Sequence, residues 1–243
     1  MLLQADLTQR IIIILIVQVW PIFYGNYFAY KLLKRFKSRS TISLGSFFIL
    51  VSLTYFLATI SVVFIYTPLS SLSYLFYIIG IYFFVFSHCF LLFFSWVLVR
   101  LDDKAPDWKF HLIIIFYGII STYVFWIGFY FNGISLDPST NWIPNFSWVF
   151  LIISWAFLLI FIVFPQIYYS IKLLKVFEGA ILKRRINLFI ISVFLELSVV
   201  FSLFLYNTLF DNIIYQIFHI SVMPAASTIA GFLLYKSFGK ELE

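Results

Sequence analysis

Glu196 is the residue whose type and position point most directly to chemistry. It is the single acidic residue inside a long apolar run that begins at Ile186. Ten residues of helix place it about 15 Å along that run. A carboxyl group at such depth in hydrocarbon costs about 2.5–3.5 kcal/mol on insertion scales. It must therefore face other helices, be paired, or carry a proton. Its functional reading is a proton-sensing or ligand-binding acid, and its structural reading is a hydrogen-bonded clasp between helices. Ser192 lies one turn earlier on the same face and is a candidate partner. His88 lies about 16 Å from the far end of its own run, level with Glu196. The matching depth predicts a Glu196–His88 pair across two helices; the alternative for His88 is a bond to a backbone carbonyl of its own helix.

His219, with Gln216 one turn before it, sits nearer the opposite end of the last apolar run. His88, His111 and His219 lie at three depths, which speaks against a three-histidine metal site. Pro21, Pro165 and Pro224 each interrupt an apolar run and are candidate hinges. Ser227 and Gly231 form a small-xxx-small pair that lets another helix approach closely.

Much familiar chemistry lacks its residues. No apolar run contains a lysine, so a retinal Schiff base is not expected. The last apolar run, 212–235, has no Asn-Pro-x-x-Tyr, and the run 74–99 ends in Val99-Arg100-Leu101-Asp102-Asp103 rather than the receptor Asp/Glu-Arg-Tyr. No His-Glu-x-x-His, Gly-x-Ser-x-Gly or phosphate-binding glycine loop occurs. One cysteine, Cys89, provides neither a disulfide nor a multi-cysteine metal site. The expectation is a protein without catalytic residues, metal or cofactor.

The elements that position these residues follow from composition. Of 243 residues, 63% are apolar and 11% charged, against about 25% charged in soluble domains. Such a chain cannot cover a water-facing surface, and the lipid bilayer is its expected surroundings. Residues 40–99 hold no Asp, Glu, Lys or Arg. A helix that long would span roughly three bilayer cores, and its one turn signal is Thr67-Pro68-Leu69-Ser70-Ser71. The chain is thus read as an all-α integral membrane protein, a seven-transmembrane helix bundle over 11–30, 41–66, 74–99, 110–131, 147–171, 186–208 and 212–235. The segment 132–146 reads as a polar loop.

The net charge of +6 reflects topology rather than nucleic acid. Lys31, Lys34, Arg35, Lys37 and Arg39 follow helix 1; Arg100, Lys104 and Lys109 follow helix 3; Lys172, Lys175, Lys183, Arg184 and Arg185 follow helix 5; Lys236 and Lys240 follow helix 7. With seven spans, 15 of the 16 basic residues share one side. The positive-inside rule then predicts an outside N-terminus and a cytosolic C-terminus in the plasma membrane. Trp142 and Trp148 fall at the outer boundary and Trp108 at the inner one, as an aromatic belt requires. The first ten residues lack the pattern of a cleaved signal peptide.

Tyr30-Lys31-Leu32-Leu33-Lys34 and Ile171-Lys172-Leu173-Leu174-Lys175 close helices 1 and 5 alike, each after a mid-span proline. The echo suggests one domain holding two parallel repeats, 11–99 and 147–235, with 110–131 as the linker helix.

The outside N-terminus, seven spans, longer outer loop between helices 4 and 5 and the Arg184-Arg185 doublet before helix 6 resemble the seven-helix sensor region of prokaryotic histidine kinases. In that family a signalling domain follows the last helix, whereas here 236–243 follow. The resemblance implies a membrane-embedded sensor acting through a separate signalling protein at its cytosolic face. The rival is a small-solute transporter with three-plus-one-plus-three helices, similar to the sugar-transporting family with proline-glutamine motifs, on the strength of Pro165-Gln166. A structural membrane subunit is the third option. A central water-filled cavity lined by prolines from both halves would indicate transport; a dry bundle with an outward pocket would indicate sensing.

Overall fold

The computed structural model describes residues 7–34, 38–65, 67–100, 108–140 and 142–239, with side chains described for these except 7–17, 139 and 239. Among them seven long helices follow one another: α1 Leu7–Leu33, α2 Arg39–Phe64, α3 Ser71–Arg100, α4 Trp108–Tyr130, α5 Trp148–Val176, α6 Ala180–Thr208 and α7 Ile213–Leu234. A π-helical turn, Tyr235–Gly239, extends α7. Six of these, α2 to α7, are long and apolar enough to cross a membrane.

Local chemistry sets where the helices begin. At α2, Thr41 N donates to Ser38 Oγ (3.3 Å) and Ser38 N donates to Thr41 Oγ1 (2.9 Å), a reciprocal cap. Ser147 Oγ accepts from Phe150 N (3.1 Å) to start α5, and Asn212 Oδ1 accepts from Tyr215 N (3.1 Å) to start α7. Each cap contributes about 1 kcal/mol.

The basic stretch between α5 and α6 is not the expected loop. α5 continues past 171 to Val176, α6 begins at Ala180 rather than 186, and only residues 177–179 connect them. Gly179, at φ +100°, makes the reversal. Lys172 and Lys175 therefore ride the last turns of α5, while Lys183, Arg184 and Arg185 ride the first turns of α6. The physical reason is that lysine and arginine end an apolar run without ending a helix. Aromatic faces receive several of these charges: Lys172 Nζ lies 4.4 Å from the Tyr168 ring centre and Arg100 Cζ lies 4.6 Å from that of Trp96. Lys31 lies inside α1 and Lys34 in the turn after it. Arg35, Lys37, Lys104 and Lys240 lie outside the described residues.

Helix α3 is the central element. It packs on α2, α4 and α5, and Phe94 joins it to Phe189 of α6 and Phe238 beyond α7, at ring distances of 5.3 and 5.8 Å. Helix α2 lies between α1 and α3, and α6 pairs with α7. At the opposite end, the described residues of the 132–146 segment form a packed lid. Ile134–Ser135 (β1) pairs antiparallel with Asn145–Phe146 (β2). Tyr74 OH donates to the carbonyls of Gly128 (2.9 Å) and Ile134 (3.0 Å), and Phe146 is buried against Phe150 and Phe204.

The outer faces are apolar. On α4, Leu112, Ile115, Phe116, Ile119, Trp126 and Phe129 are all exposed, at spacings that make one helical stripe. Water would penalise such a stripe, whereas lipid does not.

Candidate functional site

A cavity of about 650 Å³ lies among α1, α2, α3, α6 and α7. Two prolines border it, Pro21 of α1 and Pro224 of α7. Each withholds the N–H that would bond the carbonyl four residues earlier; for Pro224 that carbonyl belongs to Ile220, another wall residue. The described contacts between α1 and α7 lie on one side of these prolines. Phe28 stacks on Tyr235 at 4.2 Å, and a Cβ placed on Gly231 would meet Tyr24 Cε2 at 3.2 Å. Gly231, with Ser227 one turn before it, thus receives α1. On the other side of the prolines, Gln18 and Trp20 of α1 and Ile213, Gln216 and Ile217 of α7 border the cavity.

The walls are mainly aliphatic and aromatic, and among the described residues no charged side chain lines them. Polar groups sit at two levels. Towards the start of α7 are Gln216 and His219, with Gln18 of α1 and Tyr77 of α3. At the other end are Tyr55 and Ser227, with Phe84. Beyond them towards the basic helix ends the core is filled by Phe47, Phe94 and Phe189, all buried.

His219 is held from two sides. Its Nδ1 is 2.9 Å from Ser202 Oγ, which is 2.8 Å from Tyr215 OH. Its ring stacks on Tyr206 at 4.4 Å and 25°. Nε2 makes no hydrogen bond among the described residues. Gln216 Nε2 donates to the carbonyl of Tyr206 (3.2 Å), and Gln18 Oε1 accepts from Thr59 Oγ1 (3.2 Å).

Glu196 lies behind Ser227. Its Oε1 accepts from Ser227 Oγ at 3.4 Å, and the buried Oε2 has no partner among the described residues. The hydroxyls of Tyr24 and Tyr55 are within electrostatic reach of the carboxyl. Residues of four helices, α1, α2, α6 and α7, therefore meet at this point.

Several expected partnerships are absent. His88 does not bond Glu196. Its Nδ1 is 2.7 Å from the Phe84 carbonyl, and its Nε2 is buried without a partner. Equal depth was the basis for the pair, but depth says nothing about which way each side chain turns around its helix. The carbonyl of residue 84 also captures the imidazole locally. Ser192 is not a partner of Glu196 either; its Oγ donates to the Phe189 carbonyl at 2.7 Å. Pro165 lies away from the cavity, in α5. The Phe161 carbonyl, which residue 165 would bond if it had an N–H, accepts instead from Tyr117 OH (3.1 Å). Gln166 is wholly buried and paired with Ser95 of α3: Gln166 Nε2 donates to Ser95 Oγ (2.8 Å), and Ser95 Oγ is 3.1 Å from Gln166 Oε1.

Of the residues picked out in the sequence, His219, Gln216, Pro21 and Pro224 thus share one cavity. Tyr24, Tyr55, Ser202 and Tyr206 were not singled out. Only serine or tyrosine at helical spacing around His219 and Glu196 could have signalled them, and this chain has 16 tyrosines.

Comparison with family models, with curated proteins and with solved structures finds no match. Fold and site alone define the class: a multi-pass helical membrane protein with an apolar, polar-tipped cavity between helices.

Proposed function

We propose that this chain is a seven-span sensor or receptor-like protein of a prokaryotic plasma membrane, with its N-terminus outside. A ligand held between α1 and α7 is read out by a separate partner chain at the cytosolic face. The observation that carries this reading is the cavity itself. It is flanked by two proline-interrupted helices and ends at Tyr55, Phe84 and Ser227. Filling it changes how far α1 and α7 stand apart. Their contacts at Tyr24–Gly231 and Phe28–Tyr235 carry that change to the turn after α7, where Phe238 packs on Phe94 and Phe189. The seven-span topology is supported by the six apolar helices, the helical α1 beside α2, and the segregation of basic residues to one side.

The transporter reading has one observation in its favour, since Pro21 and Pro224 come from the two halves of the chain and border one cavity. Against it, Gln166 of the proline-glutamine pair is committed to Ser95, and aromatic side chains fill the core beyond the cavity floor.

Photo-crosslinking amino acids at Lys183 and Lys236, both exposed, test the sensor reading in native membranes. One protein chain captured at both positions, in a yield altered by the cavity-filling Ala58→Trp, is expected. A yield unchanged by Ala58→Trp, or solute uptake into vesicles without any captured chain, overturns it.

A further inference from the structure

The cavity has polar groups near the start of α7 and an apolar shaft below them. His219 is 9% exposed and Gln216 equally so. Ser202 occupies His219 Nδ1, and the stack on Tyr206 fixes the ring plane. Nε2 is the atom left to a ligand. The Gln216 amide nitrogen is taken by the Tyr206 carbonyl, which leaves its oxygen as an acceptor. Across the cavity, the Gln18 amide, 3.2 Å from Thr59 Oγ1, brings a donor and an acceptor to the same level. Donors and acceptors therefore converge at one level. Below them, Ile220, Met223, Leu203, Val199 and Ile81 are apolar, with the hydroxyls of Thr54, Tyr55, Ser227 and Thr228 towards the floor.

The dimensions define what fits. From His219, at the polar level, to Ser227, at the floor, α7 rises about 12 Å. One leaflet of hydrocarbon is about 15 Å deep, half of a core about 30 Å thick. The shaft takes most of the length of one leaflet-deep acyl chain. Among the described residues no charged side chain lines the cavity, so none of them offers a counter-charge to a charged head. A bare hydrocarbon would leave His219 and Gln216 unpaired on burial.

We infer that the cavity binds an uncharged single-chain amphiphile with a hydroxyl-bearing head, of the monoacylglycerol type. The head hydroxyls bond His219 Nε2 and the Gln216 oxygen, and the chain lies along α7 towards Ser227. The molecule arrives from the bilayer between α1 and α7, both of which border the cavity. This inference rests on the cavity being the sensing site proposed above.

Native mass spectrometry of the full chain released from nanodiscs provides the test, with monoolein, oleate and dioleoylphosphatidylcholine as probes. A saturable one-to-one monoolein complex is expected, about tenfold tighter than either other probe. His219→Phe keeps the stack on Tyr206 but removes both nitrogens. It should weaken monoolein about tenfold, the value of one buried hydrogen bond, and leave oleate unchanged. Ala58→Trp should abolish monoolein binding; should that variant not fold, Ile220→Phe fills the shaft from the opposite wall. Equal or tighter retention of oleate or phosphatidylcholine, monoolein binding indifferent to His219→Phe, or no saturable binding overturns the inference. The crosslinking yield is measured without any added lipid. If it still responds to Ala58→Trp while monoolein fails, the ligand class is wrong and the sensor reading stands.

Discussion

Among the described residues, Glu196 of α6 receives one hydrogen bond, from Ser227 of α7 at 3.4 Å, and its second carboxyl oxygen receives none. The contact is long for a hydroxyl–carboxylate bond, yet it joins the two helices at the cavity floor. A buried carboxyl left unpaired is costly, so removing Ser227 matters more than neutralising Glu196. Ser227→Ala should lower stability in detergent by about 1–3 kcal/mol. Glu196→Gln keeps shape and an acceptor, and should stay within about 1 kcal/mol of the parent. Thermal unfolding reads both. Equal effects of the two substitutions would show that Ser227 does not hold the carboxyl.

His88 should be energetically independent of Glu196. With its Nδ1 tied to the Phe84 carbonyl, His88 has no bond to lose when Glu196 changes. A double-mutant cycle of His88→Gln and Glu196→Gln should be additive within about 0.5 kcal/mol. Coupling of about 1 kcal/mol or more would restore the pair that their common depth suggests.

That contrast shows what the sequence does and does not carry. Depth is one-dimensional and follows from counting residues along an apolar run, and helix positions followed the same way: the turn at Thr67–Pro68 separates α2 from α3, and α7 starts at the asparagine where the polar break ends. The direction of a side chain around its helix depends on which neighbour packs where. When every face is apolar, hydrophobic periodicity gives no stripe to read it from. Hence Glu196 and His88 were level but not facing, while Gln216 and His219, three residues apart on one helix, stayed together. Pro21 and Pro165 look equivalent in sequence, but only Pro21 meets the cavity. The helical ends of α5 and α6 are hidden because hydropathy records where an apolar run stops, and these helices continue into the charged stretch that follows it.

Pro165 and Tyr117 should be coupled. The proline deprives the Phe161 carbonyl of its α-helical donor, and the Tyr117 hydroxyl supplies a replacement from α4. Tyr117→Phe should therefore destabilise by about 1 kcal/mol in the parent. In a Pro165→Ala background, where residue 165 again has an N–H, it should cost much less. Identical costs in the two backgrounds would mean that the hydroxyl does not compensate for the proline.

Gln166 should behave as a structural residue. Its side chain and that of Ser95 satisfy each other between α5 and α3. Interhelical hydrogen bonds in membranes average about 0.6 kcal/mol and reach about 1.7, so Gln166→Leu should lower stability by about 1 kcal/mol. It should leave the Ala58→Trp response of the crosslinking yield intact, because Gln166 is remote from the cavity walls. A selective loss of that response in a stably folded Gln166→Leu protein would assign the residue a working part.

Topology can be settled by cysteine labelling, with positions chosen from the structure. Ser38 is a poor reporter of the cytosolic face. It is 1% exposed and caps α2, so a cysteine there resists reagent whichever way the chain is oriented and also costs the cap. Lys183 in the first turn of α6 is exposed, and so is Pro138 in the lid. The native Cys89 is buried in α3 and gives no background under folding conditions. In intact cells, a membrane-impermeant maleimide should label Pro138→Cys and spare Lys183→Cys. After permeabilisation both should react. With seven spans, α6 starts on the side where α1 ends, so the two sites report opposite faces of the bundle. The basic residues near Lys183 favour the negatively charged cytosolic leaflet, each by about 1 kcal/mol near the surface. Labelling of Lys183→Cys from outside, with Pro138→Cys protected, would invert the chain and move the proposed partner surface out of the cytosol.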